Sequence, residues 1–496
     1  MKGDVDMVMR GIRGGMIRPL SRSDIKMIDG ASLEILDQVG LRTQSKRIID
    51  IFKNGGADVN EDRVRIPEYM VREALSKVPR KIVLGGRTEA KDLLLEDGRA
   101  YFGLGGTPNP YTLDIDTGDF RVPTSEDVVK ATILGDALPN MSFVMSLCAA
   151  TDSPHEVAWL HEASLMFSNT EKPIVYVAAG AEGARYLLAI AAAVAGGEDN
   201  LRRRPNVVLF SEPMTPLVMP EINEAVIEFA GARIPVIYAP GAMPGATAPI
   251  TLAGEHAVCN AECLAGIVLA QLTSQGAPVL YGIHTSVFDM RTGNTCYGAP
   301  EWGLGWLVVG QLADYYGLPT FGSGGGTDSK CPDAQAGAEA LMNAYFNVAG
   351  GINLIHNCGT IAHGAAGSME MAVICDEIVN YVRRLATEIE VSDDTLAVDL
   401  IRRIGPGGHY LAEKHTRTYF QKGEILHPKL FNRQAIADWK AKGQPSARDE
   451  ARSKVKSILQ EHRVPPLSKE TIDHINQILK EASMNMVKEP FTTPTI

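Results

Sequence analysis

The residues best suited to chemistry follow short apolar runs of the sequence. One is a glycine-rich segment, Phe321–Lys330, which reads FGSGGGTDSK. His284 and His356 stand at the ends of two other runs, and Glu212 follows a further one. Glycines let a backbone come close to a bulky ligand, and no nucleophile lies at a recognisable spacing from a base. The pattern predicts a wide cavity with few proton-transfer groups.

Eight apolar runs recur at intervals of roughly thirty to forty residues. Proline stands at or just before several of them, which strands tolerate because no ladder donor is needed at their start. A strand–helix unit repeated eight times predicts an α/β fold, the (β/α)8 TIM barrel, with its active site at the carboxyl ends of the strands. The runs are Tyr101–Leu104, Phe143–Leu147, Ile174–Ala179, Val207–Phe210, Val236–Ala239, Val279–Gly282, Thr320–Gly322 and Ile352–His356.

The length of the chain indicates additions to the barrel. Its 496 residues exceed the roughly 250 of a bare barrel, and we expect N-terminal and C-terminal helical extensions. The predicted organisation is an N-terminal region at residues 1–97 that packs on the barrel, the barrel itself at residues 98–388, and a helical C-terminal extension at residues 389–496.

Bulk properties argue against several classes of protein. The formal net charge of −11 does not suit a nucleic-acid surface. The longest apolar stretches, such as Leu264–Leu272, fall short of the ~20 residues that a bilayer requires, and we find no signal-peptide pattern. Seven scattered cysteines indicate free thiols. We expect a cytoplasmic protein that binds neither nucleic acid nor membrane.

Some residues allow two interpretations. His256, Cys259 and Cys263 share one face of a predicted helix, where they either begin a zinc site or simply pack. The glycine-rich segment is also compatible with phosphate binding, as in many barrels. The two histidines at run ends are also compatible with buried histidines that bond to the backbone.

Three aromatic residues follow the sixth run. Tyr297, Trp302 and Trp306 are suited to a cage that holds a quaternary ammonium by cation–π contact. They are equally compatible with packing in a core or an interface.

Longer blocks of the sequence resemble the trimethylamine:corrinoid methyltransferase family. The resembling blocks are Asn260–Gly282, Asp333–Gly337, Gly367–Met371, Asp376–Val379 and Ile66–Leu75. The resemblance implies a (β/α)8 barrel that delivers a substrate methyl group to Co(I) of a cognate corrinoid protein. It also implies no tightly bound cofactor and no metal site in the chain itself.

The resemblance further implies an altered substrate. The trimethylamine-using members carry pyrrolysine just before a Ser/Thr-Asp pair, whereas this chain has Gly326 before Thr327-Asp328. They also have tyrosine where this chain has His356. A quaternary ammonium is already cationic, so loss of a methyl group releases a neutral amine without help from an electrophile. We expect a pyrrolysine-lacking enzyme for quaternary amines, glycine betaine first, then proline betaine and carnitine.

Under this interpretation, catalysis consists mostly of positioning a methyl group and excluding water. Gly326 leaves space for the substrate and Asp328 organises the loop. The substrate-binding candidates are the rings of Phe102, Tyr281 and Trp302 and the carboxylates of Glu212 and Glu262 for the cation, with His356, supported by His284, for the substrate carboxylate.

Two other functions stay open. One is a zinc-dependent methyltransferase that uses Cys259, Cys263 and a histidine such as His256. The other is a betaine-binding protein that lost catalysis together with the pyrrolysine. The helical extension also suggests a homo-oligomer.

Overall fold

The computed structural model describes residues 12–13, 17–96, 98–284 and 286–487. Its centre is a closed barrel of eight parallel strands, in which the last strand pairs with the first. Every predicted run overlaps one of these strands, so the predicted fold class is confirmed. The strands are β1 Arg99–Leu104, β2 Met141–Val144, β3 Ile174–Tyr176, β4 Val207–Ser211, β5 Val236–Tyr238, β6 Val279–Gly282, β7 Thr320–Ser323 and β8 Leu354–Cys358.

One long helix follows each strand and packs outside the barrel. Several helices begin at side chains that cap their first turn, as Ser368 does by accepting from the Met371 N–H at 3.1 Å. The helices are α1 Ser125–Ala137, α2 Ala158–Asn169, α3 Gly180–Ala195, α4 Glu224–Ala232, α5 Leu252–Thr273, α6 Pro300–Tyr316, α7 Ala334–Gly350 and α8 Met369–Leu385.

The prolines that precede strands still take part in the ladder as acceptors. The Pro235 carbonyl accepts from the Leu209 N–H at 3.0 Å, and the Pro278 carbonyl accepts from the Val236 N–H at 3.1 Å. Proline lacks only the donor, so it serves well at a strand entrance where a neighbour supplies the N–H.

Each strand has two apolar faces with different partners. One face fills the barrel, and residues on it include Tyr101, Phe143, Phe210, Phe321 and Leu354. The other face packs against the helices, and residues on it include Phe102, Tyr176, Tyr238 and Tyr281. The tyrosines reach polar side chains in this outer layer: the Tyr281 hydroxyl donates to Asn260 Oδ1 at 2.7 Å.

The N-terminal region covers one side and the amino end of the barrel. Ser32 Oγ donates to the Ala257 carbonyl of α5 at 2.9 Å, and Leu84 and Leu95 join the core inside the barrel. Its elements are the helices Arg22–Glu34, Lys46–Asn54 and Glu68–Lys77, the π-helical turn Ile35–Val39, the strands Leu41–Arg42, Asp58–Asn60 and Arg63–Arg65, and the hairpin of Ile82–Leu84 with Leu93–Leu95. Residue 97, a predicted boundary, lies outside the described residues, and the domain division stays a prediction.

The part of the chain after α8 is helical. The helices are Asp393–Leu396, Val398–Ile404, Lys414–Lys422, Ile436–Ala441, Ala447–Glu461 and Lys469–Met486. Arg452 of the fifth helix donates to the buried Glu370 at 3.1 Å, which fastens it to α8. Among the described residues, α5 is the one helix long and apolar enough to cross a membrane, and 78% of its most apolar stretch is buried inside this fold.

Candidate active site

A cavity of about 230 Å³ opens at the carboxyl ends of β4, β5 and β6. Its wall includes the polar side chains of Glu212, His284, Ser286 and Thr295 and the rings of Tyr297 and Trp302. A larger cavity of about 580 Å³ lies beside the amino ends of β7 and β8. Since barrel enzymes do their chemistry at the carboxyl ends of the strands, the smaller cavity is the candidate site.

The carboxyl group of Glu212 lies in the wall of this cavity without a counter-ion among the described residues. It directly follows β4, and its backbone carbonyl accepts from Asn223 Nδ2 at 2.8 Å. Desolvation by the surrounding protein raises the pKa of Glu212 to about 7, although the residue as a whole is exposed to solvent. Within the described part of the chain, no residue donates to the carboxylate or forms an ion pair with it. An anion in this setting suits a cationic ligand.

His284 and His356 meet at the floor of the mouth. Their Nε2 atoms lie 3.3 Å apart, and the His356 ring stacks on Phe321 with centroids 4.6 Å apart. Burial lowers the pKa of His284 to about 4 and that of His356 well below its ordinary value. Both rings are therefore neutral at pH 7. His284 lines the cavity, whereas His356 lies behind it and is buried.

Tyr297 and Trp302 form an aromatic wall. Their ring centroids lie 4.5 Å apart, and Trp306 meets Trp302 edge-on at 5.9 Å. Burial, and next the charges of Glu212 and Asp328, raise the pKa of Tyr297 to about 12. The Tyr297 hydroxyl stays protonated, so the wall presents neutral π-faces beside the acid.

Asp328 acts on the backbone that carries Tyr297. Its carboxylate accepts from the N–H groups of Tyr297 at 2.7 Å and Gly298 at 2.9 Å. It does not line the cavity, and its role in organising the loop stays a prediction. Gly326 lies behind Tyr297: a Cβ at this position would come within 2.9 Å of the Tyr297 ring. The room that Gly326 leaves is filled by this ring rather than by the cavity.

Two predicted cage residues lie elsewhere. Phe102 and Tyr281 both belong to the outer face of their strands and pack against helices, and the Tyr281 hydroxyl is committed to Asn260. The prediction that they contact the substrate is wrong, because adjacent residues of a strand point to opposite faces. Gly103, next to Phe102, is on the inward face.

Glu262 also does not lie where the predicted role in cation binding would require it. One of its carboxylate oxygens accepts from the Leu217 N–H at 2.6 Å and the other from Thr215 Oγ1 at 3.0 Å. Burial raises the pKa of Glu262 to about 7. The side chain holds the loop after β4, three residues beyond Glu212, and does not line the cavity.

Two side chains of the zinc alternative contact Glu255, since His256 Nδ1 lies 2.6 Å from Glu255 Oε2, and the third has a different partner. Cys259 Sγ lies 3.5 Å from Glu255 Oε1, and Cys263 Sγ donates to the Tyr238 carbonyl at 3.3 Å. His256 Nδ1 lies 2.7 Å from the Leu252 carbonyl oxygen. Across the described ranges, no three His, Cys, Asp or Glu side chains are grouped to hold a metal ion. The spacing on the helix was compatible with a site, but the side chains do not converge.

Sequence reasoning missed three residues of the site. Phe210 and Phe321 form a floor beneath the histidines, with centroids 5.3 Å apart; each lies in a predicted run, but the run alone does not show its inward direction. Asn343 on α7 donates from Nδ2 to the carbonyls of Tyr297 at 2.8 Å and Gly326 at 3.2 Å. Nothing in the sequence pattern singles it out.

Comparisons with known proteins confirm the family that the sequence blocks predict. The family model described as trimethylamine methyltransferase (MTTB) matches residues 2–485. The chain is 34% identical to trimethylamine methyltransferase MttB of Desulfitobacterium hafniense, over 96% of each chain. It is 33% identical to trimethylamine methyltransferase MttB of Methanosarcina barkeri, over 95% of this chain and 96% of that protein. It is 32% identical to the glycine betaine methyltransferase of Desulfitobacterium hafniense, over 92% of this chain and 94% of that protein. The chain therefore belongs to the trimethylamine methyltransferase family and is a methyltransferase.

Proposed function

We propose that the protein transfers a methyl group from a quaternary amine, with glycine betaine as the leading candidate, to Co(I) of a corrinoid carried by a separate protein. The observation that carries the proposal is the Glu212 carboxylate, which has no partner among the described residues and lies beside the rings of Tyr297 and Trp302. A carboxylate and aromatic faces are the groups that recognise a quaternary ammonium, which cannot donate a hydrogen bond.

The residue at position 326 favours a quaternary over a tertiary amine. Relatives named for trimethylamine and for glycine betaine are about equally similar to this chain, so overall identity does not choose between them. Loss of a methyl cation from neutral trimethylamine leaves an amide-like anion, whereas loss from glycine betaine leaves a neutral tertiary amine nitrogen, with the carboxylate of dimethylglycine unchanged. The cobalt pair of electrons forms the new C–Co bond, and the broken C–N pair returns to nitrogen. With Gly326, the chain supplies no electrophile at this position and the reaction requires none.

The cavity attracts the cation with only moderate electrostatic strength. Complete neutralisation of the ammonium would stabilise the ground state, in which the charge is full, more than the transition state, in which it is fading. A single carboxylate at the wall, with polarisable rings completing the enclosure, attracts the substrate without a close bidentate pair. The main contribution to rate is then the alignment of one methyl group with the incoming Co(I) and the exclusion of water.

The histidine pair offers a donor for the substrate carboxylate. If His284 donated through Nε2, the buried His356 Nδ1 would carry an N–H without a partner within the described structure, which costs free energy. The arrangement in which His356 donates its Nε2–H to His284 leaves the other nitrogen of His284 protonated. Because His284 lines the cavity, we assign it, rather than the deeper His356, as the direct donor.

The proposal is tested by mixing the enzyme with free cob(I)alamin and one amine at a time. The amines are glycine betaine, proline betaine, carnitine, choline and trimethylamine. We expect the Co(I) spectrum to change to that of methyl-Co(III) with a betaine and not with trimethylamine. Turnover of trimethylamine alone would contradict the assignment to quaternary amines. Binding of a betaine without methyl transfer, to free or protein-bound Co(I), would favour the betaine-binding alternative.

A further inference from the structure

The Tyr297 ring lies where a side chain of residue 326 would otherwise stand. A Cβ on Gly326 would stand 2.9 Å from Tyr297 Cδ2, closer than two carbon atoms tolerate without a shift. The ring has little room to retreat, because Trp302 packs on it with centroids 4.5 Å apart. The Tyr297 ring can therefore occupy its observed position only because residue 326 has no side chain.

The backbone of Tyr297 is held by the segment that contains Gly326. Asp328 accepts from the N–H groups of Tyr297 and Gly298 at 2.7 and 2.9 Å. Asn343 donates to the carbonyls of both Tyr297 and Gly326. These hydrogen bonds join the loop after β6, which carries Tyr297, to the loop after β7 and to α7. The position of the Tyr297 ring therefore depends on Asp328 and Asn343 as well as on its own loop.

We propose that Tyr297 is a specificity-determining residue that takes the place of the missing side chain at position 326, and that Gly326 acts on substrate binding only through Tyr297. This inference rests on the proposed function. The Tyr297 ring forms the π-surface that meets the ammonium methyl groups, and Asp328 and Asn343 are positioning residues. A larger residue at position 326 displaces the ring and removes this surface.

A double-mutant cycle tests the dependence. Binding of glycine betaine is measured by calorimetry for the wild type, Gly326→Ala, Tyr297→Leu and the double variant, with no corrinoid present. We expect each single variant to weaken binding by about ten-fold, the scale of a desolvated cation–π contact. In the Tyr297→Leu background, Gly326→Ala should have little further effect, because the displaced ring is already gone.

Matched controls separate this effect from general damage. Gly337 lies on α7, where an added Cβ meets no atom within 4 Å, so Gly337→Ala should bind glycine betaine normally. Tyr297→Phe keeps the ring and should retain most of the affinity. Equal losses from Gly326→Ala with and without Tyr297 would overturn the inference, as would full affinity in Tyr297→Leu. A wild type that binds no quaternary amine would instead contradict the proposed function.

Discussion

At the scale of single residues, the charge of Glu212 should govern how binding depends on pH. Burial raises the pKa of this carboxyl to about 7, so in the free enzyme it is mostly protonated below that pH and mostly charged above it. A quaternary ammonium does not titrate. We therefore expect the affinity for glycine betaine to rise as the pH increases through about 7, and binding to lower the pKa of Glu212.

The variant Glu212→Gln tests this dependence by calorimetry across the same range. It should bind glycine betaine more weakly above pH 7, and its affinity should be flat with pH. Glu182→Gln, at an exposed position on α3, is the matched control and should keep the wild-type profile. A wild-type affinity independent of pH would contradict the role of Glu212.

His284 should distinguish substrates that carry a carboxylate. Under the proposed function, the neutral imidazole of His284 at the cavity wall donates a hydrogen bond to the carboxylate of glycine betaine, a group that choline lacks. We expect His284→Ala to weaken glycine betaine binding by about ten-fold or more, the scale of a hydrogen bond to a charged group. Choline binding should change much less. Equal losses for both ligands would show that His284 supports the fold of the site rather than the carboxylate.

At the scale of the elements, the hydrogen bond from Tyr281 of β6 to Asn260 of α5 should contribute to the stability of the fold. Tyr281→Phe leaves the buried Asn260 Oδ1 without its donor, so we expect a loss of about 1–3 kcal/mol in the free energy of unfolding. Betaine affinity of the folded protein should not change. Thermal denaturation and calorimetry check both, with the exposed Tyr69→Phe as control. A variant that is as stable as the wild type but binds glycine betaine more weakly would indicate that Tyr281 contacts the substrate.

The elements also show why part of the site could not be predicted. Apolar runs and prolines locate the strands because burial on both faces makes them continuously apolar. For the same reason, the runs do not reveal which residues point inward, and Phe102 was assigned to the wrong face. Glu212 and His284 were predictable because they follow strand ends. Asn343 and the partners of Glu262 depend on contacts between distant loops and helices.

At the scale of the whole molecule, the barrel explains how residues up to 90 positions apart, from Glu212 to Trp302, form one cavity. Glu212 follows β4, whereas His284 and Tyr297 follow β6, and both strands pair with β5. Closure of the sheet through β8 and β1 completes the barrel. The count of eight runs was sufficient to predict this closure. The shape of the cavity was not predictable, since it depends on how the loop after β6 folds over Gly326.

The proposed reaction moves an N-methyl group of a quaternary amine to Co(I). The most direct measurement uses glycine betaine with 13C in its N-methyl groups, the enzyme and cob(I)alamin, followed by NMR of both products. We expect one labelled methyl group on cobalt for each dimethylglycine released. Methylated cobalt without dimethylglycine, or no labelled methyl group on cobalt while bound betaine is detected, would contradict it.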